Sequence, residues 1–378
     1  MRWQLSFRQH TTNNQTAAAR KPRATIPVCH HRMREIPLSA IEEAARTIYD
    51  PVIRTPVVRL DWPRPAGSPS DAEIFLKLET LQPIGSFKIR GAQNVVRQLP
   101  ASSTRDGVWT VSAGNAAQGV ALAARLAGVP CSVMVTDTAP ATKVEAIERL
   151  GSTIVRASYD ECWRTVEAHA SDRMHGLFIH PFDDDRFIAG NGTAGLEILD
   201  DVPDVDVVIA PLGGGGLLAG IASAVCARRP QVKVFAAEPE TASPFEASLR
   251  NGRASVFEPW QASFVDGAGG RSVLSSMWPL LSRLLAGSIV VALRDVAAAM
   301  RVVAERCHVI AEGAAGCAVA AALSGRVKGN IVAVVSGGNI DLATFASLTV
   351  GGGITSHKSQ VTNHKSQVTN HNCLRLEP

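Results

Sequence analysis

The sequence predicts an α/β fold with largely parallel sheets, and two observations carry the prediction. Short apolar segments alternate with amphipathic segments of helical length through most of the chain, which is the order that builds parallel sheets covered by helices. Several of the apolar segments, such as 207–212, are apolar at every position rather than at every second one. That pattern is typical of strands buried on both faces.

The alternation assigns the elements in order. Strands are predicted at Glu73–Glu79, Val108–Ser112, Cys131–Thr136, Thr153–Arg156, Asp206–Leu212, Lys233–Glu238, Ser288–Leu293 and Ile331–Ser336. Helices are predicted at Phe87–Leu99, Gln118–Leu126, Thr142–Leu150, Glu161–Met174, Leu217–Arg228, Arg294–His308 and Ala314–Leu323. A further helix, Ile41–Tyr49, precedes the first strand, with Ser39 as its N-cap.

Composition excludes several classes of protein. With 46% hydrophobic and 19% charged residues, the 378-residue chain is too apolar for a disordered protein. No stretch approaches the roughly 18–20 apolar residues that span a bilayer. The seven cysteines form no Cys-x-x-Cys pair, which argues against a zinc ribbon or a disulfide framework. We expect a cytoplasmic protein of two domains, since a domain has roughly 100–200 residues, with no membrane partner.

The positive net charge of +4 belongs to the two ends of the chain. Residues 1–34 carry seven Lys or Arg and no acid, and residues 351–378 carry a net +2, which leaves −5 for residues 35–350. A nucleic-acid partner is therefore not expected. Residues 1–32 are predicted to be a disordered extension before Met33, and residues 351–378, which contain the segment HKSQVTN twice, a disordered tail.

Four junctions between a predicted strand and the next helix are rich in Gly, Ser and Asn, and α/β folds bind ligands at such carboxyl ends of strands. In the first, Gly85 lies in a turn, Ser86 is predicted to cap the helix, and Lys88 lies in the first helical turn. The helix macrodipole disfavours a positive charge there and lowers the pKa of the amine. Lys88 is therefore a candidate nucleophile that could form a Schiff base; the alternative is a solvated surface lysine.

The second and third junctions have the character of anion sites. The segment Ser112–Asn115 (SAGN) precedes a helix N-terminus that favours a carboxylate or phosphate, although Ser and Asn also cap helices for structural reasons. The glycines 213–216 offer four backbone N–H groups to a phosphate at the start of a helix. Gly214-x-Gly216-x-x-Ala219, with Glu238 about 20 residues on, also matches a dinucleotide fingerprint, so a nicotinamide-dependent dehydrogenase is an alternative at this point.

The fourth junction, Ser336–Asn339 (SGGN), follows a strand whose residues are all apolar. Together the four junctions resemble the pyridoxal-phosphate enzymes of the tryptophan-synthase-β fold type, fold type II, and within them the threonine/serine dehydratases. The segment GSFKIRGA at 85–92 is similar to the cofactor-lysine motif of that branch, and the other three junctions match in order and approximate spacing. Connecting stretches such as HPFDD at 180–184 match as well, so the resemblance covers roughly residues 36–348.

The resemblance implies two three-layer α/β domains with mostly parallel sheets. Residues 33–108 and 188–350 would form a large cofactor-binding domain, and residues 109–187 a small domain inserted into it. Pyridoxal 5'-phosphate is the implied cofactor, and a homo-oligomer, commonly a dimer or tetramer, is the implied assembly. The implied activity is β-elimination of water from L-threonine or L-serine, which yields 2-oxobutanoate or pyruvate and ammonia. In a dehydrogenase the Lys88 motif would have no role.

The same resemblance implies roles for individual residues. Lys88 would hold the cofactor and, once freed, take the Cα proton of the substrate. Contacts to the cofactor are implied for Phe87 at the ring, Asn115 at the phenolic oxygen, Ser336 at the pyridine nitrogen, and Gly213, Gly214, Gly215 and Gly216 at the phosphate. Contacts to the substrate carboxylate are implied for Ser112, Ala113, Gly114 and Asn115.

Two departures from the family pattern bear on the activity. Serine racemases usually have a second serine where this chain has Ala113, which argues against efficient racemisation. Serine racemase and 3-hydroxyaspartate dehydratase stay alternatives within the family. Glu238 is a weak candidate ligand for the divalent cation known in relatives, but the usual acidic companion six residues on is Pro244 here, so no metal is assigned.

Overall fold

The computed structural model describes residues 34–62, 73–100 and 102–350. The extension predicted at 1–32 and the tail predicted at 351–378 lie outside the described residues. None of the helices in the described ranges combines the length and the apolar character that crossing a membrane requires.

Ten strands form two sheets in the described part of the chain. In chain order they are β1 (Val57–Arg59), β2 (Ile74–Leu78), β3 (Val108–Val111), β4 (Cys131–Thr136), β5 (Thr153–Ala157), β6 (Leu177–Phe178), β7 (Val207–Pro211), β8 (Lys233–Pro239), β9 (Gly287–Val291) and β10 (Ile331–Val335). The larger sheet has the order β1-β2-β10-β7-β8-β9, and the smaller has the order β5-β4-β3-β6. All neighbours pair in parallel except β1 with β2. The predicted α/β fold with mostly parallel sheets is confirmed.

Twelve α-helices accompany the strands in these ranges. They are α1 (Leu38–Thr47), α2 (Lys88–Arg97), α3 (Asn115–Leu126), α4 (Ala141–Glu148), α5 (Tyr159–Ala168), α6 (Asp185–Asp201), α7 (Gly216–Arg228), α8 (Pro244–Asn251), α9 (Trp278–Leu284), α10 (Leu293–Cys307), α11 (Gly313–Leu323) and α12 (Leu342–Val350). A short 3₁₀ helix, Glu79–Leu81, follows β2 and leads toward α2.

The larger sheet is buried on both faces, as its strand β10 illustrates. Val332 and Val334 pack with apolar residues of α6, α7 and α9 on one face. Ile331, Ala333 and Val335 pack with α10 and α11 on the other. Because successive side chains of a strand point to opposite faces, a strand between two helical layers must be apolar at every position. This is the physical reason for the continuous apolar segments in the sequence.

All eight predicted strands are present, with ends within two residues of the prediction. The longest helix, α6, was not predicted from the sequence, because its interior contains Gly190, Gly192 and Gly195, and each glycine costs a helix about 0.5–1 kcal/mol relative to alanine. In the structure these glycines allow close helix packing. A Cβ atom on Gly190 would lie 2.4 Å from the carbonyl oxygen of Arg90 in α2, and one on Gly192 would lie 3.0 Å from that of Gly220 in α7.

Two predicted helix caps are wrong. Helix α1 begins at Leu38 with Pro37 at the N-cap, so Ser39 lies inside the helix. Helix α2 has Phe87 at the N-cap. Ser86 therefore precedes the N-cap by one residue, and its buried hydroxyl has no hydrogen-bond partner among the described residues.

Candidate active site

A cavity of about 440 Å³ lies where the segments that follow β2, β3, β7 and β10 converge. The parallel arrangement brings the carboxyl ends of these strands together. Every residue that the sequence analysis connects with the cofactor or the substrate borders this cavity. They are Phe87, Lys88, Ser112, Ala113, Gly114, Asn115, Gly213, Gly214, Gly215, Gly216 and Ser336.

Lys88 is the first residue of α2, and its Nζ donates a hydrogen bond to the carbonyl oxygen of Pro181 at 2.6 Å. The amine borders the cavity but is otherwise enclosed by protein, with the ring centroids of Phe87 and Phe187 at 5.2 Å and 5.4 Å from Nζ. Burial lowers the pKa of the Lys88 amine to about 8, while the charge of Glu312 acts in the opposite direction. The sequence predicts the lowering from the helix macrodipole, but its main cause in the structure is burial. A lowered pKa suits an amine nucleophile.

The glycine loop follows β7 and opens the 13-residue helix α7. Each of the four glycines is backed by protein on the side where a side chain would lie. A Cβ atom on Gly214 would be 2.2 Å from the ring of Phe182, and one on Gly213 would be 2.5 Å from the carbonyl oxygen of Gly267. Among the described residues, the N–H groups of Gly213, Gly214 and Gly215 have no backbone acceptor. Free N–H groups at a helix N-terminus are a site for an anion.

The segment that follows β3 turns directly into α3. The helix begins at Asn115, three residues before its predicted start, and Gly114 is the N-cap. The Gly114 N–H donates to the Ser112 hydroxyl oxygen at 3.1 Å, which closes a tight turn. Ala113 contributes only a methyl group to the cavity wall, so this turn offers backbone groups and the Ser112 hydroxyl, and no acid or base.

Asn115 is held at both ends of its side-chain amide. Its Nδ2 donates to Oε1 of Glu312 at 2.8 Å, and its Oδ1 accepts a hydrogen bond of 2.8 Å from Nδ2 of Asn339. Glu312 and Asn339 also border the cavity. From the sequence, Asn339 is predicted only as part of a motif. Glu312 is not predicted, because its sole signal is an acid directly before the apolar helix α11.

Glu312 is a buried carboxylic acid in the cavity wall, 6% exposed. Burial raises its pKa to about 7, the nearby carboxylate of Asp266 adds to the effect, and the hydrogen bond from Asn115 and the charge of Lys143 oppose it. The cavity therefore holds an acid that titrates near neutral pH beside an amine whose pKa is lowered.

Ser336 follows β10 and is 2% exposed. Its carbonyl oxygen accepts a hydrogen bond from the N–H of Phe87 at 3.0 Å, which ties the fourth junction to the first. Ser336 borders the cavity, and its hydroxyl makes no hydrogen bond to another residue in the described ranges. A neutral hydroxyl is thus available to a ligand.

The loop between α8 and α9 contributes Asp266 and Gly267 to the wall of the cavity. Asp266 of this loop pairs with Lys143 of α4, and both residues border the cavity. Arg271 of the same loop lies 4.1 Å from the ring centroid of Trp260 and 5.6 Å from that of Tyr159 in α5. These contacts, which have no recognisable signal in the sequence, join the loop to the helices beside the smaller sheet.

Comparison with known proteins identifies the family of the chain. The family described as "Pyridoxal-phosphate dependent enzyme" matches residues 48–337. The chain belongs to this family. An L-threonine ammonia-lyase of Thermotoga maritima is 39% identical over 311 residues, which are 81% of this chain and 76% of that relative.

Solved structures of this family superpose closely. A serine racemase of maize is 34% identical, with a TM-score of 0.73 over 82% of this chain and 95% of that one. The processed form of threonine deaminase isoform 2 from Solanum lycopersicum is 30% identical, with a TM-score of 0.72 over 84% of this chain and 95% of that one. The fold is therefore the fold type II architecture that the sequence predicts.

The cavity fits the cofactor of this family. Pyridoxal phosphate needs an amine for its aldehyde, donors for a phosphate and a polar group for its ring nitrogen. Lys88 offers the amine. A Cβ atom on Gly214 would collide with the ring of Phe182, so this position requires glycine, and the N–H groups of the glycine loop have no side chain beside them. Ser336 offers an unengaged hydroxyl. The residues present thus match the three chemical needs of the cofactor.

The weak metal candidate Glu238 lies away from the cavity. Its carboxylate accepts hydrogen bonds from the N–H groups of Phe245 and Glu246 and from the hydroxyl of Ser288. Burial raises its pKa to about 7. Both oxygens are therefore engaged by the protein, and metal binding by Glu238 stays a weak prediction.

One group of potential metal ligands exists in the described residues, His169, His180 and Asp183. Nδ1 of His180 accepts hydrogen bonds from the backbone N–H groups of Phe182 and Asp183, so Nε2 of the neutral ring carries the proton. The Asp183 carboxylate pairs with Arg34 and accepts from Ser276. These engagements leave the group unsuited to a metal, and none is proposed.

Proposed function

We propose that the protein is a pyridoxal-phosphate-dependent ammonia-lyase that acts on L-threonine, L-serine or both, with 2-oxobutanoate or pyruvate and ammonia as products. The observation that carries the proposal is the position of Lys88, whose amine borders the same cavity as the glycine loop and the turn at 112–115. The names of relatives support the substrate class, since the Thermotoga maritima protein is an L-threonine ammonia-lyase and the Solanum lycopersicum protein a threonine deaminase.

The proposed contacts to the cofactor follow the cavity wall. The N–H groups of Gly213, Gly214, Gly215 and Gly216 hold the phosphate at the N-terminus of α7. Asn115 donates to the phenolic oxygen, Phe87 packs against the ring, and the Ser336 hydroxyl faces the ring nitrogen. Because a neutral hydroxyl, unlike a carboxylate, does not hold that nitrogen protonated, β-elimination is favoured over transamination.

The proposed substrate contacts lie at the turn before α3. The backbone amides of Ala113 and Asn115 receive the substrate carboxylate together with the hydroxyl of Ser112, whose oxygen is held by the N–H of Gly114, because a helix N-terminus favours an anion. Lys88 borders the same cavity as this turn, so we place the Cα–H bond of the bound substrate toward its amine.

Lys88 does the proton chemistry. When bound, pyridoxal phosphate supplies the electron sink that makes the Cα–H bond of an amino acid acidic. The Nζ of Lys88 would accept the Cα proton and return a proton to the departing β-hydroxyl group, which would leave as water. The released enamine would then be hydrolysed by water to the 2-oxo acid and ammonia. A pKa of about 8 leaves part of the amine unprotonated near neutral pH, as a general base requires.

Release of 2-oxo acid from a panel of hydroxy amino acids tests this proposal. We expect 2-oxobutanoate from L-threonine or pyruvate from L-serine in the purified enzyme, together with an absorption band of the lysine-bound cofactor. The Lys88→Ala variant should stay folded and lose both signals. An enzyme that carries the cofactor but releases no 2-oxo acid from any member of the panel would contradict the ammonia-lyase assignment.

Serine racemisation is a second candidate, supported by the likeness to the maize serine racemase. Ala113 argues against it, since a methyl group cannot exchange a proton on the second face of the substrate. The chirality of serine recovered after reaction, measured beside pyruvate release, separates the two activities. The panel also includes 3-hydroxyaspartate, because dehydration of that substrate is the other alternative.

A nicotinamide-dependent dehydrogenase is the candidate from a different class. The dinucleotide fingerprint needs an acid that reaches the ribose, and Glu238 bonds instead to Phe245, Glu246 and Ser288. The absorption spectrum discriminates directly, because a colourless protein that binds NAD would refute the pyridoxal-phosphate assignment.

The arrangement of the two sheets supports an inserted small domain. Strands β3 to β6 are consecutive in the chain and make up the smaller sheet, so we propose residues 109–187 as the small domain, and residues 33–108 with 188–350 as the large one.

A homo-oligomer in the cytoplasm is also proposed. The five cysteines of the described residues are unpaired, in keeping with a reducing compartment.

A further inference from the structure

We propose that Asn339 and Glu312 are positioning residues that hold the side-chain amide of Asn115 in one orientation, with one of its N–H bonds left to donate into the cavity. The inference rests on the proposed contact between Asn115 and the phenolic oxygen of the cofactor. It assigns a role to the last residue of the SGGN motif and to an acid that no motif contains.

A count of donors and acceptors supports the orientation. An asparagine amide has two N–H donors and one carbonyl oxygen. Nδ2 of Asn339 donates one hydrogen bond to the carbonyl oxygen of Ile84 at 2.7 Å and the other to Oδ1 of Asn115 at 2.8 Å. Nδ2 of Asn115 donates one hydrogen bond to Oε1 of Glu312 at 2.8 Å. One N–H of Asn115 therefore stays free, on a residue that borders the cavity.

The reversed orientation of the Asn115 amide is excluded by its two partners. Rotation by 180° would bring the Asn115 carbonyl oxygen against the carboxylate of Glu312 and its NH₂ group against that of Asn339. The contact with Asn339 would set donor against donor, and Asn339 is itself fixed by its hydrogen bond to the carbonyl oxygen of Ile84. The contact with Glu312 would repel whenever that acid is ionised, in an enclosed site where an unmade hydrogen bond is costly. Glu312 and Asn339 therefore fix the orientation of the Asn115 amide together.

Two motif glycines leave the space that this network occupies. A Cβ atom on Gly85, whose φ is +69°, would lie 2.8 Å from Oδ1 of Asn339. A Cβ atom on Gly337 would lie 2.7 Å from Oε1 of Glu312. Backbone hydrogen bonds from Gly338 to Gly85, at 2.9 Å, and from Glu312 to Gly337, at 3.0 Å, hold the three segments together. The network thus explains glycines in both the GSFK and the SGGN motifs.

A double-mutant cycle on the holoenzyme tests the inference. The rate of pyridoxal-phosphate release into a trap is measured for the wild type, Asn115→Ala, Asn339→Ala and the double variant, together with the position of the cofactor absorption band. Loss of one hydrogen bond corresponds to release about tenfold faster. If Asn339 acts through Asn115, the double variant should release the cofactor no faster than Asn115→Ala alone, and both single variants should shift the band in the same way.

The outcomes separate this inference from the proposed function. Additive effects, about a hundredfold in the double variant, would mean that Asn339 acts independently and would overturn the inference. A normal rate in Asn339→Ala with a fast one in Asn115→Ala would overturn it too, while the cofactor contact of Asn115 would stand. A wild type that holds no cofactor would refute the proposed function and the inference together.

Two further variants control for folding and for charge. Asn330→Ala removes an asparagine at the other end of β10, where Nδ2 donates to Asp204 at 2.7 Å, and it should leave the release rate and the band unchanged. Glu312→Gln keeps an acceptor for Asn115 and should release the cofactor within about threefold of the wild type, whereas Glu312→Ala should resemble Asn115→Ala. A Glu312→Ala variant with wild-type release would contradict the role of Glu312.

Discussion

The Nζ atom of Lys88 donates a 2.6 Å hydrogen bond to the carbonyl oxygen of Pro181, and the next residue, Phe182, fills the space behind Gly214. One short segment, HPFDD at 180–184, thus contacts both the candidate nucleophile and the candidate phosphate loop. The backbone of this segment is held in place by the ring of His180, which accepts hydrogen bonds from the N–H groups of Phe182 and Asp183. The segment therefore couples the position of the amine to that of the loop.

The lowered pKa of Lys88 predicts the pH dependence of cofactor attachment. Burial lowers the pKa to about 8, so the reactive unprotonated amine increases in fraction as the pH rises through 8. In cofactor-free enzyme, the rate constant of Schiff-base formation with pyridoxal phosphate should rise with a midpoint near pH 8, measured by stopped-flow absorbance. A midpoint above pH 10, the range of an ordinary lysine, would show that the amine is not buried as described.

The same pKa has a consequence for stability. Between pH 8 and the ordinary lysine pKa of 10.5, the unfolded chain binds a proton that the folded chain does not. The contribution of Lys88 to the free energy of unfolding of the cofactor-free enzyme should therefore increase with pH over that window. The free energy of unfolding in urea should be measured for the wild type and for Lys88→Met at pH 7.5 and at pH 10. The value of the wild type minus that of Lys88→Met should be larger at pH 10.

Gly214→Ala should abolish cofactor binding. The added Cβ would lie 2.2 Å from the ring of Phe182, so either the loop or the ring must move and the phosphate donors move with it. We expect loss of the cofactor absorption band and of activity, with a lower melting temperature. Gly114→Ala is the matched steric control, because nothing lies within 4 Å of a Cβ atom there, and it should fold as stably as the wild type. A Gly214→Ala enzyme with normal cofactor content would disprove the crowding.

Ala113→Ser should introduce racemisation. The methyl group of Ala113 borders the cavity beside Asn115, and a hydroxyl there could carry a proton to or from the substrate face opposite Lys88. We expect the ratio of D-serine to pyruvate formed from L-serine to rise at least about tenfold, equivalent to about 1.4 kcal/mol of barrier, measured by chiral chromatography. An unchanged ratio would mean that this position does not decide between the two reactions.

Arg90→Met should strongly destabilise the fold. Arg90 pairs with Glu79 at 2.7 Å and with Glu197 at 2.6 Å, and all three side chains are at most 1% exposed. Removal of one partner from a buried ion network costs about 3–5 kcal/mol, which urea unfolding should detect. Arg46→Met, which breaks an exposed pair with Glu43, should cost less than about 1 kcal/mol. Equal losses in the two variants would contradict this difference.

Much of the site could be predicted from the sequence because its parts are local. Ser336 directly follows β10, the four glycines lie in the turn after β7, and Lys88 begins the helix that comes after β2. Their position at one edge of a parallel sheet therefore follows from chain order. Ser39 and Ser86 show the limit of such reasoning, since a capping residue is recognised by its type, but the observed N-caps are Pro37 and Phe87, which lie two residues and one residue away. The helix α6 shows another limit, because its glycines weaken local helix propensity and are accommodated by close packing against other helices, including α2 and α7.

The sequence alone determined the layered α/β fold and four of the segments that meet at the cavity, because hydrophobic periodicity and glycine-rich junctions act over short distances along the chain. Only the tertiary structure decided which side chains complete the site. Glu312 and Asn115 are 197 residues apart, yet share a hydrogen bond of 2.8 Å. The pKa of Lys88 is likewise set mainly by burial among distant segments. Both depend on packing between parts of the chain that no local pattern connects.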